Sequence, residues 1–119
     1  MALCVAVGAV VARLAVETFA LAWTHSVERT VWQEEWRIDG ARLVLVTARV
    51  KGSGAGMDPG PDAVAEDGWW RWQADRSLAS LTLARSRAVP DWQLCVAGGC
   101  GTLADPGDGT APVVLRPCP

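Results

Sequence analysis

The segment from residue 18 to residue 50 constrains the fold most, because its apolar side chains recur at every second position around a strong turn signal. Phe19, Leu21 and Trp23 share one face of an extended strand. Asp39-Gly40 is typical of a type I′ hairpin turn, whose two central residues need a positive φ. The segment therefore predicts three antiparallel strands. They comprise residues 18–27, 31–38 and 42–50.

Matching the apolar faces of these strands predicts their register, since a one-residue slip would turn every side chain to the wrong face. The best match places His25 directly opposite Glu34, with Leu45 on the other side of Glu34. The other pairs of this register are Val27 with Trp32, Trp23 with Trp36, and Trp36 with Leu43. A buried carboxylate is costly unless it is paired, so the prediction is a His25 and Glu34 contact.

Two interpretations of this contact stay open. The pair can simply fix the strand register, or it can be a functional dyad, because an imidazole beside a partly buried carboxylate has a raised pKa. Ser26 adjoins His25 and faces the other way in a strand, so a Ser-His-acid triad is not expected. The sequence therefore favours a non-enzymatic protein, and it predicts no cofactor.

A glycine-rich stretch follows the third strand at residues 51–62. Its amides at Gly52, Ser53, Gly54 and Gly56 can point toward an anion. The Gly-Lys-Ser/Thr of a phosphate-binding loop is absent. The alternatives are a wide surface turn and a loop that binds an anion or a partner.

Aromatic residues concentrate again at residues 69–72. In a strand, Trp70 and Trp72 face one way while Trp69 and Arg71 face the other. Only one face can enter the core, so at least one tryptophan is expected near the surface. Trp70 is the candidate binding residue here, for a carbohydrate, a protein or a membrane interface, and core closure is the alternative.

The four cysteines suit disulfides better than a metal site. A hairpin with its tip at residues 96–99 sets Cys95 opposite Cys100. Cys4 and Cys118 lie near the termini and form a candidate second pair, although four cysteines allow three connectivities. No C-x-x-C knuckle is present, which disfavours zinc.

The apolar run at residues 1–12 is too short to span a bilayer, which needs about 20 residues. No basic residue precedes this run, whereas a signal peptide begins with positive charge. Its period of two, interrupted at Gly8, predicts strand, turn and strand. The run therefore predicts no transmembrane span, and the lack of a clear signal peptide favours the cytoplasm.

The length of 119 residues indicates one β-domain over residues 1–119. A net charge of −2 provides no general attraction for nucleic acid. Short alternating segments between Gly, Pro and Asp turns predict an all-β fold of about eight strands, either an antiparallel sandwich or a partly open barrel. The oligomeric state does not follow from the sequence.

Several motifs occur in order along the chain: FALAWTHSVERTVWQEEWRI, ARVKGSGAGMDPGPDAV, DGWWRW, LTLARS and DWQLCVAGGC with a later Cys118. Together they resemble the bacterial family known as domain of unknown function 1850. His25, Ser26, Glu28 and Glu34 fit its first motif, and residues 52–57 fit its second. The resemblance supplies no catalytic residues.

The same resemblance implies a small accessory protein of TRAP transporters of the TAXI class. The implied partners are the permease and the extracytoplasmic binding protein. It also implies a periplasmic or membrane-associated location, against the cytoplasmic one that the missing signal peptide favours.

Overall fold

The computed structural model describes residues 1–24, 31–51, 63–84, 92–97, 99–102 and 111–119, and every regular element in these ranges is a β-strand. The strands are β1 (Ala2–Val7), β2 (Val10–Leu14), β3 (Thr18–Thr24), β4 (Val31–Asp39), β5 (Arg42–Lys51), β6 (Val64–Glu66), β7 (Trp69–Leu78), β8 (Leu81–Leu83), β9 (Gln93–Val96), β10 (Gly99–Thr102) and β11 (Val113–Cys118). Among the described residues, no helix is long and apolar enough to cross a membrane.

The strands form two antiparallel sheets. The small sheet has the order β2-β1-β11-β8, and the large sheet has the order β10-β9-β3-β4-β5-β7-β6. The sheets pack against each other as in a sandwich, and neither closes into a barrel through its described strands. The predicted all-β fold is confirmed, with eleven described strands instead of about eight.

The core lies between the two sheets and takes its side chains from the alternate positions of both. Leu3, Val113 and Leu115 of the small sheet are fully buried, as are Leu21 and Leu43 of the large sheet. The remaining buried members of this core are Val5, Val7, Phe19, Trp36, Leu45 and Leu83. The face of the large sheet that these side chains share is called the inner face below.

In the described ranges, three two-residue hairpin turns contain residues with positive φ, and the first is the turn between β1 and β2, where Gly8 has a φ of 59°. Asp39 pairs with Arg42, so the turn occupies Gly40 and Ala41, one residue later than the sequence predicts. Gly40 has a φ of 59° and Ala41 has no positive φ, which is the pattern of a type II′ turn. Asp67 and Gly68, with φ of 54° and 86°, form the type I′ turn that joins β6 to β7.

The predicted register of the first hairpin is wrong by four residues. Leu21, and not His25, lies opposite Glu34. This register brings Trp23 opposite Trp32, where their rings stack with centroids 6.0 Å apart. A shift by an even number leaves every side chain on the same face, so alternation alone could not distinguish the two registers.

The predicted neighbour of Glu34 on the third strand is also wrong. The register of β4 and β5 shifts between Glu35 and Trp36, so Ala48 lies opposite Glu34 and Leu45 lies opposite Trp36. The bulge sits at Val46, whose exposed fraction is 39%. Val46 is therefore an additional residue on β5, and the pairing register before the bulge differs by one residue from the register after it.

Candidate functional site

Four tryptophans contact one another in a chain on the inner face of the large sheet. Trp92 lies 4.4 Å from Trp23, measured between ring centroids. Trp23 stacks on Trp32, and Trp72 meets Trp32 edge-on at 5.9 Å. We call these four residues the tryptophan cluster.

The tryptophan cluster lies at the margin of the core, because Trp92 packs against the core and Trp32 is buried, whereas Trp23 and Trp72 are half-buried. Trp23 and Trp32 are a cross-strand pair near the end of β3 and the start of β4. Val50 lies opposite Trp32, and Trp70 lies opposite Val50 on β7, where it is half-buried. Trp70 therefore extends the same aromatic row, on the side predicted from the sequence.

Glu34 lies between the tryptophan cluster and the core. Leu21 and Ala48 flank it on the neighbouring strands. The indole Nε1 of Trp36 donates a hydrogen bond to Glu34 Oε1 at 3.3 Å. Burial among apolar groups raises the pKa of the Glu34 carboxyl, although the Trp36 hydrogen bond and the nearby Arg76 charge oppose the rise.

The raised pKa of Glu34 predicts a pH dependence of stability. The folded chain holds this proton more tightly than the unfolded chain, whose glutamate pKa is near 4.5. The contribution of Glu34 protonation to the free energy of unfolding is therefore complete below pH 4.5. It is lost as the pH rises through the pKa of Glu34 in the folded protein. We expect Glu34→Gln to flatten the stability profile over that interval, measured by urea unfolding at several pH values. Glu35→Gln, at an exposed position on the opposite face, is the control. Equal profiles for wild type and Glu34→Gln would contradict this prediction.

A second aromatic site lies on the outer face of the large sheet, around Trp69. The Arg49 guanidinium carbon lies 4.4 Å from the Trp69 ring centroid, and Lys51 Nζ lies 5.8 Å from it. Arg71 lies opposite Arg49 and forms an ion pair with Glu66 at 3.5 Å. We call Arg49, Lys51, Trp69 and Arg71 the Trp69 cluster. The sequence indicated that Trp69 and Arg71 share a face, but it did not identify Arg49 and Lys51 as their neighbours.

Most of the other predicted site residues lie outside the described part of the chain. They are His25, Ser26, Glu28, Gly52, Ser53, Gly54 and Gly56. In the sequence, His25 follows Thr24, the last residue of β3, and Gly52 follows Lys51, the last residue of β5. Because β3 and β5 both run antiparallel to β4, these two strand ends lie at the same end of the sheet as the tryptophan cluster.

Both cysteine pairs form disulfide bonds in the structure. Cys4 and Cys118 join β1 to β11, with their Cα atoms 5.9 Å apart. Cys95 and Cys100 lie directly opposite each other on β9 and β10 and are also bonded. No group of three or more His, Cys, Asp or Glu side chains suited to a metal ion occurs in the described ranges.

The structure is an all-β, sandwich-like domain with one aromatic cluster on each face of its large sheet. The chain belongs to the family described as "Domain of unknown function (DUF1850)", whose model matches residues 19–103. No curated protein and no solved structure shows a significant match to the chain.

Proposed function

We propose that the domain is a non-enzymatic interaction module of a TAXI-type TRAP uptake system, and that it binds the permease or the solute-binding protein through the tryptophan cluster. The observation that carries the proposal is the placement of this cluster at the margin of the core, where only Trp32 of its four rings is buried. Trp23, Trp72 and Trp92 all retain exposed surface there. The link to the transporter comes from the family resemblance.

The chemistry of the tryptophan cluster suits a protein partner. Tryptophan side chains are enriched in protein interfaces, where they provide large apolar contact areas with little loss of conformational entropy. The four rings hold one another in place, so little of their freedom remains to be lost on binding. Glu34 adds one carboxylate beside this apolar area.

The alternative function, a small-molecule site for an organic anion, receives less support. It relied on His25, Glu34 and the amides of residues 52–56 converging on one ligand. Leu21 takes the position opposite Glu34 that was predicted for His25. An ionised Glu34 between Leu21 and Ala48 also repels an anion.

The proposal predicts that Trp72→Ala weakens capture of the transporter proteins. Interface tryptophans commonly contribute enough binding energy that their loss weakens affinity by more than about tenfold. We expect such a loss when immobilised domain is incubated with purified permease and, separately, with purified binding protein. Retention is measured as a binding curve for each protein.

Trp69→Ala is the matched control for this experiment, because Trp69 lies on the same strand but faces the opposite side of the sheet. It should leave capture unchanged. Binding of neither transporter protein by the wild-type domain would refute the proposal. Equal losses in the two variants would show that the tryptophan cluster is not the contact surface.

A further inference from the structure

The Trp69 cluster concentrates positive charge on one small area of an acidic protein. Arg49 and Arg71 lie directly opposite each other on β5 and β7, and Lys51 lies opposite Trp69 in the next row. Like charges at opposed positions destabilise a sheet. Glu66 pairs with Arg71, and Asp67 lies beside it, so three cations and two carboxylates leave a net charge of about +1 at this place. The whole chain has a net charge of −2. The arrangement therefore suggests a role in binding an anionic group.

Arg49 is held in a fixed position within this cluster. Its Nε donates a hydrogen bond to Gln33 Oε1 at 2.7 Å, and its Nη2 donates to the same oxygen. The guanidinium also lies over the Trp69 ring. Within the described part of the chain, the hydrogen bonds of this guanidinium use Nε and Nη2, and Nη1 can bind a ligand. A guanidinium that is already fixed loses little conformational entropy when it binds.

The cluster borders a depression of about 230 Å³ lined by Arg49, Glu66, Asp67, Trp69 and Arg71. This volume is below the roughly 300–1,000 Å³ of sites for drug-sized ligands, which restricts the ligand to a small molecule. Glu66 and Asp67 add negative charge at one edge, where they accept hydrogen bonds from hydroxyl groups and repel a polyanion. The indole of Trp69 provides an apolar surface for a ring.

We propose that the Trp69 cluster binds a hydroxylated monocarboxylate such as a sugar acid. Its carboxylate is bound by Arg71 and the Nη1 group of Arg49, which line the depression. Lys51, whose Nζ lies 5.8 Å from the Trp69 ring centroid, adds a nearby positive charge. The ring carbons of the sugar acid contact the Trp69 indole, and its hydroxyl groups donate hydrogen bonds to Glu66 and Asp67. The site is on the opposite face of the large sheet from the tryptophan cluster, so it does not depend on transporter binding.

The test is a titration of the ¹⁵N-labelled protein with glucuronate, followed through the indole Nε1 signals. The chain has seven tryptophans, and Trp69→Phe assigns the signal of interest. We expect glucuronate to shift the Trp69 signal in a saturable way. Glucose, which has the same ring without the carboxylate, should leave it unshifted, and acetate and inorganic phosphate should bind at least about tenfold more weakly.

Two charge-removing variants and one control complete the test. Arg71→Gln should weaken glucuronate binding about tenfold, the effect of one lost charge-assisted hydrogen bond. Lys51→Gln, which removes a nearby charge outside the lining of the depression, should weaken it by a smaller factor. Arg37→Gln removes an exposed arginine of β4 that pairs with Asp39 at 3.4 Å, and it should change nothing. The proposal is overturned if glucuronate causes no saturable shift at Trp69, if phosphate binds equally well, or if Arg37→Gln has the same effect as Arg71→Gln.

Discussion

Replacing both Cys4 and Cys118 with alanine is expected to lower the free energy of unfolding by about 4–5 kcal/mol. A disulfide stabilises a protein mainly by restricting its unfolded chain, and the effect grows with the length of the closed loop. These two cysteines are 114 residues apart in sequence, so their bond closes nearly the whole chain. Both are also buried, at 8% and 5% exposure. Urea unfolding followed by far-UV circular dichroism gives the value.

The second disulfide supplies the matched control. Cys95 and Cys100 are only 5 residues apart in sequence, for which the same relation predicts about 2 kcal/mol. The Cys95→Ala/Cys100→Ala variant should therefore lose less than half as much stability. Equal losses would show that loop closure does not govern the contribution of these bonds. If the Cys4→Ala/Cys118→Ala variant loses the full amount of about 4–5 kcal/mol of stability, this bond contributes strongly to folding. It joins β1 and β11, which pair the two ends of the chain in the centre of the small sheet.

The fold class followed from local patterns in the sequence. Alternation with a period of two defines which side chains share a face, and this information survives in any antiparallel arrangement. It correctly separated Trp69 and Arg71 from Trp70 and Trp72. The N-terminal strand, turn and strand were also correctly predicted, with Gly8 at the turn and a φ of 59°.

The register of the strands was harder to predict from the sequence than the fold class, because it depends on contacts between strands. The predicted and observed pairings of β3 with β4 differ by an even number and bury the same faces, so they differ in which residues pair, for example in the stacking of Trp23 on Trp32. The bulge at Val46 interrupts an apolar run in which every residue looks suitable for a regular strand. Such a bulge has no sequence signal when its residue is an ordinary β-former.

Local pattern was enough to predict part of the candidate sites, and the strand register was needed for the rest. Glu34 was recognisable because it is a charged residue on an otherwise apolar face, although its neighbours were predicted incorrectly. The Trp69 cluster depends on Arg49 lying opposite Arg71, a pairing across 22 positions of sequence that only the observed register supplies. Before that register is known, Arg49 is one of several scattered arginines.

Trp36→Ala is expected to cost about 3–5 kcal/mol of stability, the range for removing a buried aromatic side chain. Trp36 is only 2% exposed. Its ring is nearly parallel to that of Phe19, with centroids 6.4 Å apart. Its removal also takes away the indole that donates a hydrogen bond to Glu34, so the carboxyl loses a stabilising contact at the same time. The measurement is again urea unfolding.

Two further variants identify the source of that loss. Trp69→Ala, on the outer face of the same sheet, removes a partly exposed ring and its Arg49 contact, and should cost about 1 kcal/mol or less. Trp36→Phe keeps much of the apolar volume but lacks the Nε1 donor, so we expect an intermediate loss and a further rise in the pKa of Glu34. If Trp36→Ala costs no more than Trp69→Ala, the assignment of the inner and outer faces is wrong. If Trp36→Phe leaves the pH dependence of stability unchanged, burial alone determines the protonation of Glu34.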